Sequence, residues 1–223
     1  MALFETQTRF SRVTGSRGSR WWYVGLALGL VFVAAAFWFD AAVLRWMSDH
    51  QSAGLRAFMR NVSWWGDWPS HVLVGLLGAA AAYMLRSREW LAIFAAMVLA
   101  CAATGTINRA IKIAAGRSRP SVEVDAGWNG PRFSSKYNAF PSGHTAASTA
   151  FFAALYFARP RIGLLFVPIP MLIAFSRLYL GAHHLSDVVF AALLGTVCAA
   201  IVTGFVLRRM SRGEAPSRDA APA

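Results

Sequence analysis

The chain is 223 residues long, 57% hydrophobic and only 14% charged, with a mean hydropathy of +0.45, whereas a soluble domain of this length carries about 25% charged residues. The deficit is concentrated in long uncharged stretches, which excludes an ordinary soluble enzyme and predicts an all-α integral membrane protein. The net charge of +12 does not mark a nucleic-acid binder: most arginines flank apolar runs, where positive charge fixes topology and meets anionic head groups, and no basic stripe interleaves with aromatics.

Residues 1–20 are polar, with Arg9, Arg12, Arg17 and Arg20 against Glu5, and read as a cytoplasmic tail. Residues 21–39 give 19 uncharged positions, which at about 1.5 Å per residue span nearly 30 Å of hydrocarbon. A cleaved signal peptide has a shorter apolar core ending in small residues. This run ends in Phe37-Trp38-Phe39, so a retained anchor is expected. In the mixed stretch 40–70, Leu55, Phe58, Met59 and Val62 follow helical spacing with Arg56 and Arg60 on another face, and Trp64, Trp65 and Trp68 follow. A short interfacial amphipathic helix between spans one and two fits this pattern, with an ordinary connecting loop as the alternative.

The second and third spans are placed at 71–85 and 90–107, joined by Arg86-Ser87-Arg88-Glu89, and the third is expected to continue as helix towards Lys112. The loop at 115–140 is too rich in glycine, proline and serine for a helix. A fourth span runs from Pro141 to Ala158; about 14 apolar residues follow His144, short of a full crossing, which sets His144 just below the membrane surface. Arg159-Pro160-Arg161 turns the chain into a fifth span, 162–180, which Pro168 and Pro170 should kink, and 188–207 makes the sixth. The tail beyond 208 is rich in Arg, Ser, Pro and Ala and reads as disordered and cytoplasmic. Cys101 and Cys198 lie in separate apolar runs and read as buried, inert thiols.

Six spans put both termini on one side. That side collects four basic residues in the N-terminal tail, two at 86–88, two at 159–161 and four in the C-terminal tail, and the positive-inside rule makes it cytoplasmic. A single six-span domain, 21–208, is therefore expected, with the loops at 115–140 and 181–187 sharing the extracytoplasmic face of a bacterial plasma (inner) membrane.

Three constellations lie on that face: Lys112-(six residues)-Arg119-Pro120, then Pro141-Ser142-Gly143-His144, then Ser176-Arg177-(five residues)-His183-(three residues)-Asp187. Ionisable groups are costly near hydrocarbon and are retained where they are used. Lys112, Arg119 and Arg177 are cations suited to a phosphate's oxygens, although Lys112 alone could be a snorkelling residue at the end of a span. Ser142 and Gly143 open a helix whose N–H groups and dipole favour an anion, and glycine at 143 lets backbone approach it. The spacing of four places His183 and Asp187 on one helical face, so that Asp187 can accept from one ring nitrogen and leave the other nucleophilic. His184, at a spacing of three, is also within reach of Asp187.

In order, internal spacing and membrane side, these three motifs resemble the signature of the type 2 phosphatidic-acid phosphatase superfamily, in its membrane lipid-phosphate phosphatase branch. The resemblance covers 112–187 at motif level and roughly 21–208 in layout. It implies that His183 is the nucleophile forming a phosphohistidine, that Asp187 orients and stabilises its ring, and that His144 is the general acid that later activates water. Lys112, Arg119, Ser142, Gly143 and Arg177 would then bind substrate, with His184 a structural or head-group neighbour. No metal or other cofactor is implied; a metal site built from His144, His183 and His184 is the alternative, disfavoured by the nearby cations. The implied activity is extracytoplasmic dephosphorylation of a membrane lipid phosphate or pyrophosphate. Undecaprenyl pyrophosphate is the first expectation, and phosphatidylglycerol phosphate, phosphatidate and lipid A phosphates are others. Rival readings are a lipid phosphotransferase, a vanadium-dependent haloperoxidase, and a non-catalytic lipid-binding or transport protein. The loop at 121–136, with Glu123, Asp125, Trp128, Arg132 and Lys136, is expected to shape head-group choice. Oligomeric state is not legible.

Overall fold

The computed structural model describes residues 16–122 and 127–213; the two tails, 1–20 and 209–223, fall mostly outside them, as do Glu123 and Asp125. The described chain is all-helical: α1 (Ser16–Asp49), α2 (Ala53–Trp65), α3 (Trp68–Met84), α4 (Arg88–Ala115), α5 (Gly143–Ala158), α6 (Pro160–Phe166), α7 (Pro168–Tyr179) and α8 (Leu185–Gly213), with one 3-10 turn at Ser135–Tyr137. Local sequence sets the boundaries. Ser52, Asp67 and Ser87 cap α2, α3 and α4 by accepting from the amides of Leu55, Trp68 and Trp90. The α4 terminus is closed by Gly116 in the left-handed conformation at φ 55°, where any Cβ would also overlap the Gly130 carbonyl.

Four helices are long and apolar enough to cross a membrane: Trp22–Asp49, Arg88–Ala115, Pro160–Tyr179 and Leu185–Met210. The helices at the expected second and fourth spans, α3 and α5, have 17 and 16 residues. Large apolar side chains cover the outside, among them Trp38 at 85% and Leu165 at 76% exposure, as a lipid-facing surface requires.

At the centre α4, α5 and α8 pack on one another, with α3 against α4 and α1 against α8. Their contact is built from Ala92, Ala100, Ala147, Ala150, Ala154 and Ala199 around the fully buried Phe151. Without a hydrophobic drive between helices in lipid, small residues let backbones approach for dispersion and weak polar contacts. Gly195 shows how close α8 comes: a Cβ there would lie 2.8 Å from the Ala146 carbonyl oxygen and 3.0 Å from the Ala150 nitrogen of α5.

The helices change one expectation and meet two. The first helix continues well past Phe39 to Asp49, carrying Asp40 inside it. The fifth span is interrupted at the expected proline: Val167 keeps a right-handed helical backbone and donates its amide to Leu164 at 3.3 Å in a turn, and Pro168, lacking an N–H, opens the second helical segment. The stretch 53–65 forms the helix that its amphipathic spacing suggested; it packs on α7 through Met59, and its leading turn is tied there by the Ser52 amide, which donates to the Tyr179 hydroxyl at 2.8 Å.

Candidate active site

The end of α4 and the long loop after it form the floor of the site. Lys112 sits in the last turn of α4 and donates from Nζ to the Asn138 carbonyl at 2.9 Å. The following segment is held from both sides by main chain: Ser118 N–H donates to Gly127 O at 3.0 Å, Arg119 N–H to Lys136 O at 3.0 Å, and Ala139 N–H to Arg117 O at 3.0 Å. These bonds replace a helix's own and fix the backbone under Arg117 and Arg119 without regular structure.

The loop then delivers Ser142 as the N-cap of α5, with Gly143 and His144 in its first turn. The Ser142 amide donates to the Asp187 carbonyl at 3.0 Å, so it is tied to α8 rather than open to an anion, which corrects the expectation for this group. The amides of Gly143 and His144 lack intrahelical acceptors by their position in the first turn. A Cβ at 143 would lie 3.7 Å from Asn108 Oδ1 and 3.9 Å from Lys112 Nζ, so these two α4 side chains stand directly against the start of α5.

His183 is fully buried and lies in the turn before α8, not on the helix. Its Nδ1–H donates to the Ala139 carbonyl at 2.7 Å, which fixes the tautomer and leaves Nε2 with its lone pair. Asp187 Oδ2 stands 3.6 Å from the same nitrogen, in ion-pair rather than hydrogen-bond range. The shared helical face expected from the spacing is therefore not how the two meet. Asp187 folds back over the α8 terminus and accepts from the His184 amide at 2.8 Å and from His184 Nδ1 at 3.3 Å, in the manner of a capping box. Burial pushes the His183 ring down to about 4, against the opposing pull of Asp187.

Arg177, at the end of α7, is buried, and its Nη1 donates to the Ser63 hydroxyl of α2. Arg177, His183, Lys112 and Arg119 are all close enough to His144 to act on it electrostatically, which brings the second histidine, the three cations and the buried histidine into one cluster. Burial lowers the Arg119 guanidinium from its ordinary value while Asp187 pulls it back up. Among the described residues, Arg119 Nε, Arg177 Nε and Asn108 Nδ2 are buried with no protein acceptor, so three donors in this cluster are unsatisfied by the protein.

All eight sequence-derived site residues thus meet at one end of the bundle. Sequence reasoning passed over five neighbours: Ser63 on Arg177, Asn108 one turn before Lys112, Asn138 on Lys112, and the buried pair Asp40 and Arg117. Arg117 donates from Nη1 to Asp187 Oδ1 at 2.5 Å and from Nη2 to Asp40 Oδ2 at 2.7 Å. The available signal was Asp40 itself, a carboxylate embedded in an apolar helix, which calls for a partner. A separate crevice of about 780 Å³, lined by Trp22, Leu26, Val197 and Phe205, lies at the opposite ends of α1 and α8.

Comparison with known proteins bears on this arrangement. The family model described as PAP2 superfamily matches residues 90–211, more than half of the chain. The lipid A 1-phosphatase of Rhizobium johnstonii is 35% identical over 95 residues, 41% of this chain and 39% of that protein, so the chain spans about two fifths of that relative's length. The decaprenylphosphoryl-5-phosphoribose phosphatase of Mycobacterium tuberculosis is 34% identical over 158 residues, covering 67% of this chain and 79% of that protein. Among solved structures, the PAP2 type phosphatidylglycerolphosphate phosphatase from Bacillus subtilis has a TM-score of 0.63 at 20% identity, over 87% of this chain and 98% of that one, a likeness of fold.

Proposed function

The chain belongs to the PAP2 superfamily, and from that premise we propose that it is a membrane lipid phosphatase working through a phosphohistidine. His183 Nε2 attacks phosphorus while Lys112, Arg119, Arg177 and the first-turn amides of α5 spread charge over the non-bridging oxygens. His144 gives its proton to the departing oxygen as the P–O bond breaks. In the second step His144 takes a proton from water as the water oxygen attacks phosphorus, the P–N bond breaks with its electron pair returning to His183 Nε2, and inorganic phosphate leaves. Asp187 stabilises the ring while it carries positive charge. Three protein cations supply the charge that a metal would otherwise bring, so the reading is metal-independent. The observation that carries it is the buried His183, its Nδ1–H held by Ala139 O at 2.7 Å beside Asp187.

Undecaprenyl pyrophosphate remains the first substrate to test, and the Mycobacterium relative, whose name specifies a decaprenyl lipid, supports a polyprenyl chain. Phosphatidylglycerol phosphate, phosphatidate and lipid A phosphate are the others. An apolar cleft of about 280 Å³ lined by Val62, Trp65, Val74, Phe151 and Ile173 opens beside the Ser63–Arg177 contact and suits hydrocarbon near the head group. The same reading takes residues 21–208 as one six-span domain in the plasma membrane, with α3 and α5 as short crossings. It places α2 at the interface, both termini in the cytoplasm and the site outside. A phosphate-release assay on purified protein against a panel of these lipids, in EDTA, tests the reading. Release should survive the chelator, vanish in His183→Ala and persist substantially in His184→Ala, whose backbone amide still caps Asp187. Transfer to an added lipid alcohol would instead assign a phosphotransferase, and binding without turnover a lipid binder.

A further inference from the structure

Arg117 grips two carboxylates at once. Nη1 reaches Asp187 Oδ1 at 2.5 Å and Nη2 reaches Asp40 Oδ2 at 2.7 Å. Ser186 closes the ring, its amide donating to Asp40 Oδ1 at 2.8 Å and its hydroxyl to Asp40 Oδ2 at 2.6 Å, while Arg117 Nη1 also donates to Ser186 Oγ at 2.7 Å. All four residues are buried. Phe37 and Trp128 stack over the guanidinium at 5.3 and 5.0 Å, which keeps it in place and away from a phosphate.

The charge count of this cluster matters. One guanidinium against Asp187 alone would be neutral. Asp40 leaves the cluster with one negative charge in excess, and Asp187 Oδ2 presents it 3.6 Å from His183 Nδ1. A ring that becomes cationic during phosphoryl transfer needs that charge, and among buried groups it is weakly screened. Arg117 also reaches His183 by its main chain: its carbonyl accepts from the Ala139 amide at 3.0 Å, and the Ala139 carbonyl accepts from His183 Nδ1 at 2.7 Å. The carboxylate and the carbonyl on His183 Nδ1 therefore share one support. Asp40 lies outside residues 90–211, so the first helix brings to the site a group beyond the segment that defines the family match.

We propose that Asp40 and Arg117 are positioning residues for the phosphoryl transfer, Arg117 fixing Asp187 and Ala139 around His183 and Asp40 supplying the excess charge. The proposal rests on the reading of His183 as nucleophile. Full-length Asp40→Asn keeps the side-chain size and removes the charge; Arg117→Lys keeps the charge and removes the fork. In each purified variant kcat should fall by about tenfold to a hundredfold with KM within about threefold of wild type, because the loss is felt in the transition state and not in head-group binding. Melting in detergent is followed in parallel. An unchanged kcat, or a rise in KM alone, overturns the proposal, as does recovery of both variants only as unfolded protein, which would make the pair structural. Wild-type protein that releases phosphate while Asp40→Asn matches it removes this proposal alone. Wild-type protein that releases none from any lipid removes the phosphatase reading and this proposal with it.

Discussion

Opposed forces act on the His183 ring. Burial lowers its proton affinity from 6.5 to about 4, Arg177 and Lys112 push the same way, and Asp187 pulls back. The unfolded chain binds this proton near 6.5 and the folded chain only near 4, so between those values the unfolded state holds more protons and acid favours unfolding. The contribution is complete above about pH 6.5, is lost as pH falls towards 4, and amounts to about 3 kcal/mol at 1.36 kcal/mol per unit. Denaturation midpoints measured from pH 7 to 4 should therefore fall more steeply for wild type than for His183→Asn; parallel curves would rule out His183 as the group responsible. Gly143 makes a second residue-level case. A methyl there meets Asn108 Oδ1 at 3.7 Å and Lys112 Nζ at 3.9 Å, ordinary contacts. Gly143→Ala should fold with a stability change under about 1 kcal/mol. Its kcat/KM should nonetheless drop at least about tenfold, because the methyl occupies space that phosphate oxygens need beside the amide. Activity equal to wild type would show that no anion comes within reach of this turn.

The helices hold the two histidines through one close contact. A Cβ at Gly195 would meet Ala146 O at 2.8 Å and Ala150 N at 3.0 Å, backbone atoms that can move only if α5 moves. Gly195→Ala should cost about 1–3 kcal/mol of stability by overpacking, and should lower kcat as well, since α5 carries His144 at its start and α8 begins just after His183. A lower melting temperature with kcat intact would uncouple this spacing from the site. The helices were legible because apolar runs between arginines and turn residues mark them, and the interruption of the fifth span at Pro168 was legible because proline cannot donate. The end of α1 was not, since Asp40 looks like a terminus until Ser186 and Arg117, 146 and 77 residues away, are seen to satisfy it. In the site, the three motifs named eight residues that the fold brings to one end of the bundle. The spacing of His183 and Asp187 nevertheless suggested a helical face where the fold uses a helix cap. No spacing could reveal that Ala139, 44 residues upstream, holds Nδ1.

Charge is sorted along the whole bundle. Arg159 pairs with Glu89, which brings the α3–α4 turn and the α5–α6 turn to one end, while Asp40, Arg117, Ser142 and Asp187 join at the other. The basic turns at 86–88 and 159–161 therefore share an end that excludes the site, and the positive-inside rule predicts that this end faces the cytoplasm. The native thiols make a direct measurement possible: Cys101 and Cys198 are both buried, so an impermeant maleimide applied to cells should leave the wild-type protein, once isolated, unlabelled. Phe133 lies in the loop after α4, at the site's end of the bundle, with 77% of its surface exposed, and Arg88 is exposed in the first turn of α4 at the other end. In intact cells Phe133→Cys should label and Arg88→Cys should not; after permeabilisation both should. A site facing outward restricts the substrate to lipids presented in the outer leaflet. The reverse labelling pattern would turn the site to the cytoplasm and remove the undecaprenyl reading in its extracytoplasmic form, while leaving the chemistry of His183 untouched.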